Sequence, residues 1–250
     1  MLKGEREQEI MNIMKETGGY VTVKSLCDAL YASESSIRRD LASMEKKGVI
    51  KRSYGGAELI TNFSHITAFN QRYNQNASAK REIAEKAAAL IEEDDIVFLD
   101  QSSTAFCLAS LLPNKSSLTV ITNNVEIMHL LSDSNISVIS SGGHLSRENR
   151  CCLLGRDAEY IFEHTHADIA FFSCKSLSDD GVISDFSREE VVTRRAIIEN
   201  AEKKVFLCDS KKFGTQAAYK QCSLDSIDYL VSDGKTAHIF KDKFPKLKTL

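Results

Sequence analysis

The sequence predicts an α/β protein in two parts: a small helical part closed by a β-hairpin, then a larger part on a mostly parallel sheet. Three observations carry this expectation. Residues 1–58 hold three short apolar patterns at helical spacing and then a Gly-Gly turn. Residues 59–77 shift to Asn, Gln, Ser and Thr and follow neither the helical nor the strand period, so they read as a connecting segment. From residue 78 to 250, short wholly apolar runs alternate with helical stretches, the pattern of strands buried on both faces of a parallel sheet.

The first helix is expected over Glu5 to Glu16, with Ile10, Ile13 and Met14 inward, and Gly18-Gly19 breaks it. Val21-Thr22 reads as a short strand, and a second helix over Val23 to Leu30 turns Val23, Leu26, Cys27 and Leu30 inward. After a turn at Tyr31-Ala32, Ser33 is placed to cap a third helix by accepting an orphan amide proton. Ile37, Leu41 and Met44 make its buried stripe, while Ser35, Arg39, Ala42 and Lys46 fall opposite and Ser36 and Arg38 lie on the flanks. Small residues near the N-terminus allow close approach to base edges. Gly48 ends the helix, Val49-Ile50 start a strand, Lys51 and Arg52 add charge, and Gly55-Gly56 forms a tight turn. Two short helices, a turn, a recognition helix and a β-wing make a winged helix-turn-helix.

The run Ser36-Ile37-Arg38-Arg39-Asp40-Leu41, then Glu45, Gly48, Lys51-Arg52 and Tyr54-Gly55-Gly56-Ala57, resembles the DeoR family of bacterial transcription regulators. Tyr54 stands where that family usually has histidine. The resemblance implies contacts with double-stranded operator DNA from Ser33, Ser35, Ser36, Arg38, Arg39, Lys46, Lys51, Arg52, Tyr54 and Gly55.

In the larger part, strands are expected at Ile96–Leu99, Leu118–Ile121, Ile136–Ile139, Ile169–Phe172, Val205–Cys208 and Tyr229–Val231. In open α/β sheets, ligands sit beyond the carboxyl ends of strands. Four such ends carry polar groups: Asp100-Gln101-Ser102-Ser103-Thr104, Thr122-Asn123, Ser140 to His144 with Arg147 behind, and Asp209 to Gly214 with its lysines. Ser, Asn, Asp and Gly make turns anywhere, but four such loops together point to a single anionic ligand site. The family resemblance extends here, since its effector domains resemble sugar-phosphate isomerases of the ribose-5-phosphate isomerase kind. It implies that Ser103 and Thr104 hold a phosphate, Asp100 the sugar hydroxyls and Lys212 the anionic charge, with Thr122, Asn123, Gly142, Gly143 and Glu190 around them. Ser102 and Arg147 lie in the same strand-end loops, and Lys175 and Asp185 would join a pocket reshaped near Ser173 and Ser176. Arg194 follows Glu190 on its helix face. Ser102, Ser173 and Ser176 depart from the family by standing where many members carry glycine.

The formal net charge is -3, yet between residues 38 and 52 six basic side chains stand against Asp40 and Glu45, a local charge of +4. Phosphate affinity follows such a patch and not the whole-chain balance. No apolar signal core and no run near the ~20 residues of a membrane span is present, so a soluble cytoplasmic protein is expected, with no membrane partner. The seven cysteines form no C-x-x-C pair and no zinc spacing and read as reduced core residues, with redox sensing by the adjacent Cys151-Cys152 the weaker alternative. No metal site, cofactor or catalytic residue is expected. Three functions remain open: a regulator, most often a repressor of sugar metabolism genes, controlled by a phosphorylated sugar or related small anion and acting as a homodimer or higher homo-oligomer; a sugar-phosphate isomerase with an appended DNA-binding part, using Asp100, Glu190 or Asp209 as base; and a constitutive DNA binder whose larger part only oligomerises.

Overall fold

The computed structural model describes residues 3–17, 20–46, 50–53, 55–59, 69–113, 115, 117–234 and 239–250. Gly18-Gly19, Lys47, Gly48, Val49, Tyr54 and the connecting residues 60–68 lie outside the described residues, as does the side chain of Lys51. The chain divides into two compact units, Met1–His65 and Ile66–Leu250.

The first unit runs α1 (Lys3–Glu16), β1 (Tyr20–Thr22), α2 (Val23–Leu30), α3 (Glu34–Lys46), β2 (Ile50–Ser53) and β3 (Gly56–Leu59). Its core is Ile10 and Met14 of α1, Val23 and Leu26 of α2, and Ile37, Leu41 and Met44 of α3, as the apolar spacing predicts. Cys27 and Leu30 pack on it half-buried. Thr22 and Ser25 form a capping box at the start of α2, each side chain satisfying the other's backbone amide. Ser33 Oγ accepts from Ser36 N at 3.4 Å at the start of α3. β3 pairs antiparallel with both β1 and β2. Gly56 must be glycine, because a Cβ there would lie 2.3 Å from Val21 O.

The second unit runs α4 (Phe69–Asn74), α5 (Ala77–Ala88), β4 (Ile96–Leu99), α6 (Ser103–Ala109), β5 (Thr119–Thr122), α7 (Val125–Leu131), β6 (Ser137–Ser140), β7 (His144–Leu145), β8 (Leu153–Leu154), α8 (Arg156–Glu163), β9 (Ala167–Phe172), β10 (Ser176–Leu177), β11 (Val182–Asp185), α9 (Arg188–Glu199), β12 (Ala201–Leu207), β13 (Tyr219–Ser223), β14 (Tyr229–Val231) and β15 (Lys248–Thr249). Seven strands form one sheet, in the order β15-β14-β12-β9-β4-β5-β6, and every pairing in it is parallel. Successive side chains of a strand point to opposite faces, and the core divides accordingly. Val97, Leu99, Val120, Ile169 and Phe171 face α5, α6 and α7, whereas Phe98, Ile121 and Ala170 face α8 and α9. Truncating a residue such as Phe98 to alanine leaves a cavity under α8 and is expected to cost about 3–5 kcal/mol.

Several elements differ from the sequence expectation. The connecting stretch contains α4, whose Phe69 and Tyr73 pack edge-on against Phe106, with ring centroids 5.2 and 5.3 Å away. β6 is largely exposed and not covered on both faces, because it is an edge strand; Ile139 there is 39% exposed. A second sheet, β10-β11-β13, and the β7-β8 hairpin sit outside the main sheet. No helix among the described residues is long and apolar enough to cross a membrane.

Candidate functional site

In the first unit, α3 presents Ser33, Ser35, Arg38, Arg39 and Lys46 to solvent, and Ser36 is half-buried. Asp40 is the exception in this basic run. It points inward, is 2% exposed, and accepts from Arg6 Nε of α1 at 2.5 Å. The helical period carries the signal, since Asp40 lies three residues after Ile37 and four before Met44 on the buried stripe. Arg38 pairs with Glu34 at 2.6 Å, and Arg39 Nε donates to Ser35 O. Glu45, at the end of α3, accepts from Arg52 N at 2.9 Å and from Arg52 Nε at 2.6 Å, which fixes the wing strand to the helix. Those hydrogen bonds hold the Glu45 carboxyl below its ordinary pKa. Gly55 turns the wing at φ +84° and is exposed. A groove of about 240 Å³ runs between Val23, Arg38, Leu41, Arg52 and Gly56.

In the second unit the chain leaves β4 toward β5 and β6, then returns to place β9 on the other side of β4. The crevice at the carboxyl ends of β4 and β9 is therefore the topological switch point. Asp100 closes it and is fully buried. Its Oδ1 accepts from Ser102 N at 3.0 Å, and its Oδ2 accepts from Ser173 N at 3.1 Å and Arg194 Nε at 2.9 Å. Arg194, on α9, also pairs with Asp185 at 3.2 Å and Glu190 at 3.5 Å. Glu190 in turn accepts from Asn149 Nδ2 and Gln101 Nε2, both at 2.9 Å. Asn123 Nδ2 donates to Gln101 Oε1 at 3.2 Å, leaving Asn123 Oδ1 buried and without a partner among the described residues. Thr122 Oγ1 donates to Leu99 O and accepts from Asn124 N.

Lys212 Nζ donates to Ser173 Oγ at 2.9 Å and lies 3.3 Å from Asp209 Oδ2. Ser103 and Thr104 are 6% and 1% exposed, and their hydroxyls, bonded to no described protein group, keep an opening to solvent. The three serine departures are accommodated without strain. Ser102 has φ -76° and its Oγ caps α6 by accepting from Ala105 N. Ser173 receives the Lys212 ammonium, and Ser176 Oγ bonds Ser184.

The structure thus brings together Asp100, Ser102, Ser103, Thr104, Thr122, Asn123, Glu190 and Lys212 around one switch point. Gly142, Gly143, Arg147 and Lys175 are not joined to it by any described hydrogen bond or ion pair. Gly142 and Gly143, at φ +72° and +92°, turn the chain after the edge strand β6, and a Cβ on Gly143 would lie 2.4 Å from Leu154 O. Arg147 and Lys175 are exposed. Sequence reasoning missed Gln101, Asn149, Arg72 and Lys80. Arg72 Nη2 donates to Asn149 Oδ1 at 2.8 Å. Lys80 is 4% exposed and donates to Arg72 O and Gln75 O, and burial, with Lys212 nearby, pushes its pKa down to about 8. The signal for Lys80 was its place three and four residues before Ile83 and Ala84, on the buried face of α5.

A winged helix-turn-helix with a basic recognition face, carried with a parallel α/β unit holding a polar crevice, defines a DNA-binding regulator with a sensor unit. Residues 6–63 match the DeoR-like helix-turn-helix domain and residues 75–234 the DeoR C terminal sensor domain. The chain belongs to the DeoR family of transcription regulators. It is 34% identical to the HTH-type transcriptional regulator GolR of Listeria innocua, over 98% of this chain and 96% of that one. It is 31% identical to the HTH-type transcriptional repressor GlcR of Bacillus subtilis (97% and 93%) and 29% identical to the glycerol-3-phosphate regulon repressor of Escherichia coli (93% and 92%). Among solved structures, ribose 5-phosphate isomerase A of Methanocaldococcus jannaschii overlaps 55% of this chain and 55% of its own, with a TM-score of 0.42 at 17% identity, a likeness that carries nothing about activity.

Proposed function

We propose that this chain is a cytoplasmic repressor of sugar metabolism genes whose second unit binds a phosphorylated sugar or related small anion and thereby changes operator binding. Ser33, Ser35, Ser36, Arg38 and Arg39 meet the major groove, while Lys46, Lys51, Arg52, Tyr54 and Gly55 hold the phosphate backbone. The surface pair Arg38–Glu34 opens easily, because exposed ion pairs are worth little. Helix-turn-helix proteins read paired half-sites, so the working form is a homodimer or higher homo-oligomer.

The observation that carries the sensor reading is the pair of hydroxyls at Ser103 and Thr104, open to solvent and bonded to no described protein group, at the same switch point as the Lys212 ammonium. Free hydroxyl donors at the start of α6 can bind an anion beside an ammonium, and the buried Asn123 Oδ1, without a partner among the described residues, is an acceptor that a ligand hydroxyl would satisfy. In this reading Ser103, Thr104 and Lys212 meet the anion and Asn123 Oδ1 accepts from a sugar hydroxyl. Asp100, Ser102, Thr122 and Glu190 hold the walls, since their polar atoms are already bonded within the protein.

The isomerase alternative needs a carboxylate free to take a proton. Both oxygens of Asp100 and of Glu190 are engaged, and Asp209 is bound by Asn76 on one oxygen and Lys212 on the other. That arrangement favours binding over turnover.

The test is thermal unfolding of the full chain against a panel of sugar phosphates and the matching unphosphorylated sugars. A ligand at about a hundred times its dissociation constant adds roughly 2.7 kcal/mol. A rise with one sugar phosphate, lost in Lys212→Ala and Thr104→Val, supports the sensor, and operator release by that compound supports control of DNA binding. A flat response across the panel would favour the constitutive DNA binder.

A further inference from the structure

Both ends of the crevice's polar network return to one short stretch of chain. At one end, Glu190 is bonded by Asn149, whose Oδ1 accepts from Arg72 of α4. At the other, Lys212 pairs with Asp209, whose Oδ1 accepts from Asn76 Nδ2, and Lys211 Nζ bonds Asn76 Oδ1 at 2.6 Å. Between these anchors, Lys80 holds the end of α4 through the carbonyls of Arg72 and Gln75. The α4–α5 junction therefore straddles the candidate site.

This stretch also carries charge that the protein leaves uncompensated. Arg72 and Lys80 make no ion pair with any carboxylate among the described residues, and Arg72 Nε is buried without a hydrogen-bond partner. With Lys212 they set three cations near one carboxylate, Asp209. A buried cation satisfied only by carbonyl oxygens is electrostatically incomplete.

We propose that Arg72 and Lys80 form a second cationic wall of the effector site, and that an anion bound between them and Lys212 fastens the 69–80 stretch, the first described part of the second unit along the chain. The inference rests on the sensor reading above and adds to it the residues and the segment through which occupancy is registered. An anion that tightens the bonds already holding 69–80 must bind the tightened state with higher affinity, as any ligand-driven shift requires.

The experiment uses the full chain and inorganic phosphate as probe, with calorimetric affinity and hydrogen exchange of the 69–80 peptide as readouts. Wild type, Arg72→Gln, Lys80→Met, Lys80→Arg and Lys212→Gln are compared, with circular dichroism confirming the fold of each. Phosphate is expected to slow exchange across 69–80 in wild type. Arg72→Gln and Lys80→Met are expected to weaken phosphate about tenfold or more, the loss of one charge-assisted contact, while Lys80→Arg retains binding. Should Lys80→Met unfold, Arg72→Gln decides. If Lys212→Gln abolishes binding while Arg72→Gln and Lys80→Met bind as wild type, or if exchange over 69–80 ignores phosphate, the sensor stands and this inference falls. If wild type binds neither phosphate nor any sugar phosphate, both fall.

Discussion

Arg194 Nε lies 2.9 Å from Asp100 Oδ2, and the two side chains are 2% and 0% exposed. The pair joins α9 to the end of β4 beneath the crevice, and Ser173 N adds the end of β9 to the same oxygen. Removing one member of a buried pair leaves an unpaired charge and costs about 3–5 kcal/mol. Arg194→Leu, which leaves Asp100, Asp185 and Glu190 without their shared cation, is therefore expected to lower the melting temperature sharply even without ligand, and Asp100→Ala to lower it less, because Arg194 keeps Asp185 and Glu190. Denaturant unfolding checks this. A variant of either kind with wild-type stability would return Asp100 to the role of a ligand-binding carboxylate.

The sequence made the repeating parts of this fold legible and left its long-range pairs hidden. The α3 stripe and the strands from Ile96 and Val205 follow one period over several residues, so side-chain spacing alone reveals them. The strands β7 and β8, each two residues long, carry no period to read. α8 was readable, since Ala158 and Phe162 are four apart and buried, but its charged flanks obscured it. In the crevice, the turn-type residues at strand ends marked the place. The partners that decide each role, such as Asp100 with Arg194 or Asn149 with Glu190, are brought together by topology across 94 and 41 residues of chain. Asp40 and Lys80 show the remedy: a charged residue on a buried helical stripe signals a specific partner.

Arg39 and Arg52 are expected to contribute differently to DNA binding. Arg39 stands on the exposed face of α3 with Ser35, whereas Arg52 is tied to Glu45 at the wing. If Arg39 reads a base, Arg39→Ala costs about 1–3 kcal/mol and relaxes preference at one operator position. Arg52→Ala should weaken all sequences alike and flatten the salt dependence. Binding to a randomised operator set at two salt concentrations separates the two. A uniform loss from Arg39→Ala would move that residue to the phosphate backbone.

The buried thiols should be inert in the native protein. Cys107, Cys151, Cys152, Cys174 and Cys208 are buried. Burial pushes Cys151 and Cys208 up to about 12 and Cys222 to about 11. The thiolate is the reactive form, so a disulfide reagent at pH 8 should label the half-buried Cys27 first and the others only after unfolding. Fast native labelling at Cys151 or Cys152 would reopen a redox role for that adjacent pair.

Lys80 gives the pH dependence a sign. Its pKa is about 8 in the fold against the ordinary 10.5, with burial first and Lys212 next as causes, and with Arg72, Cys107 and Asp209 the other charged or titratable neighbours. Between those two values the unfolded chain keeps a proton that the folded protein has released, so this group adds stability as pH rises through the window. The buried thiols act oppositely, because their folded pKa values are raised and the unfolded chain ionises first. Subtracting the Lys80→Met curve cancels the thiols. The expected difference is a gain for wild type from pH 8 upward in the ligand-free protein, measured by denaturant unfolding. A bound anion keeps Lys80 protonated, so that gain should shrink in phosphate, and phosphate affinity should fall as pH rises through 8 in wild type but not in Lys80→Arg. Parallel wild-type and Lys80→Met curves would show that Lys80 titrates as an ordinary lysine, and its place in the cationic wall would be lost.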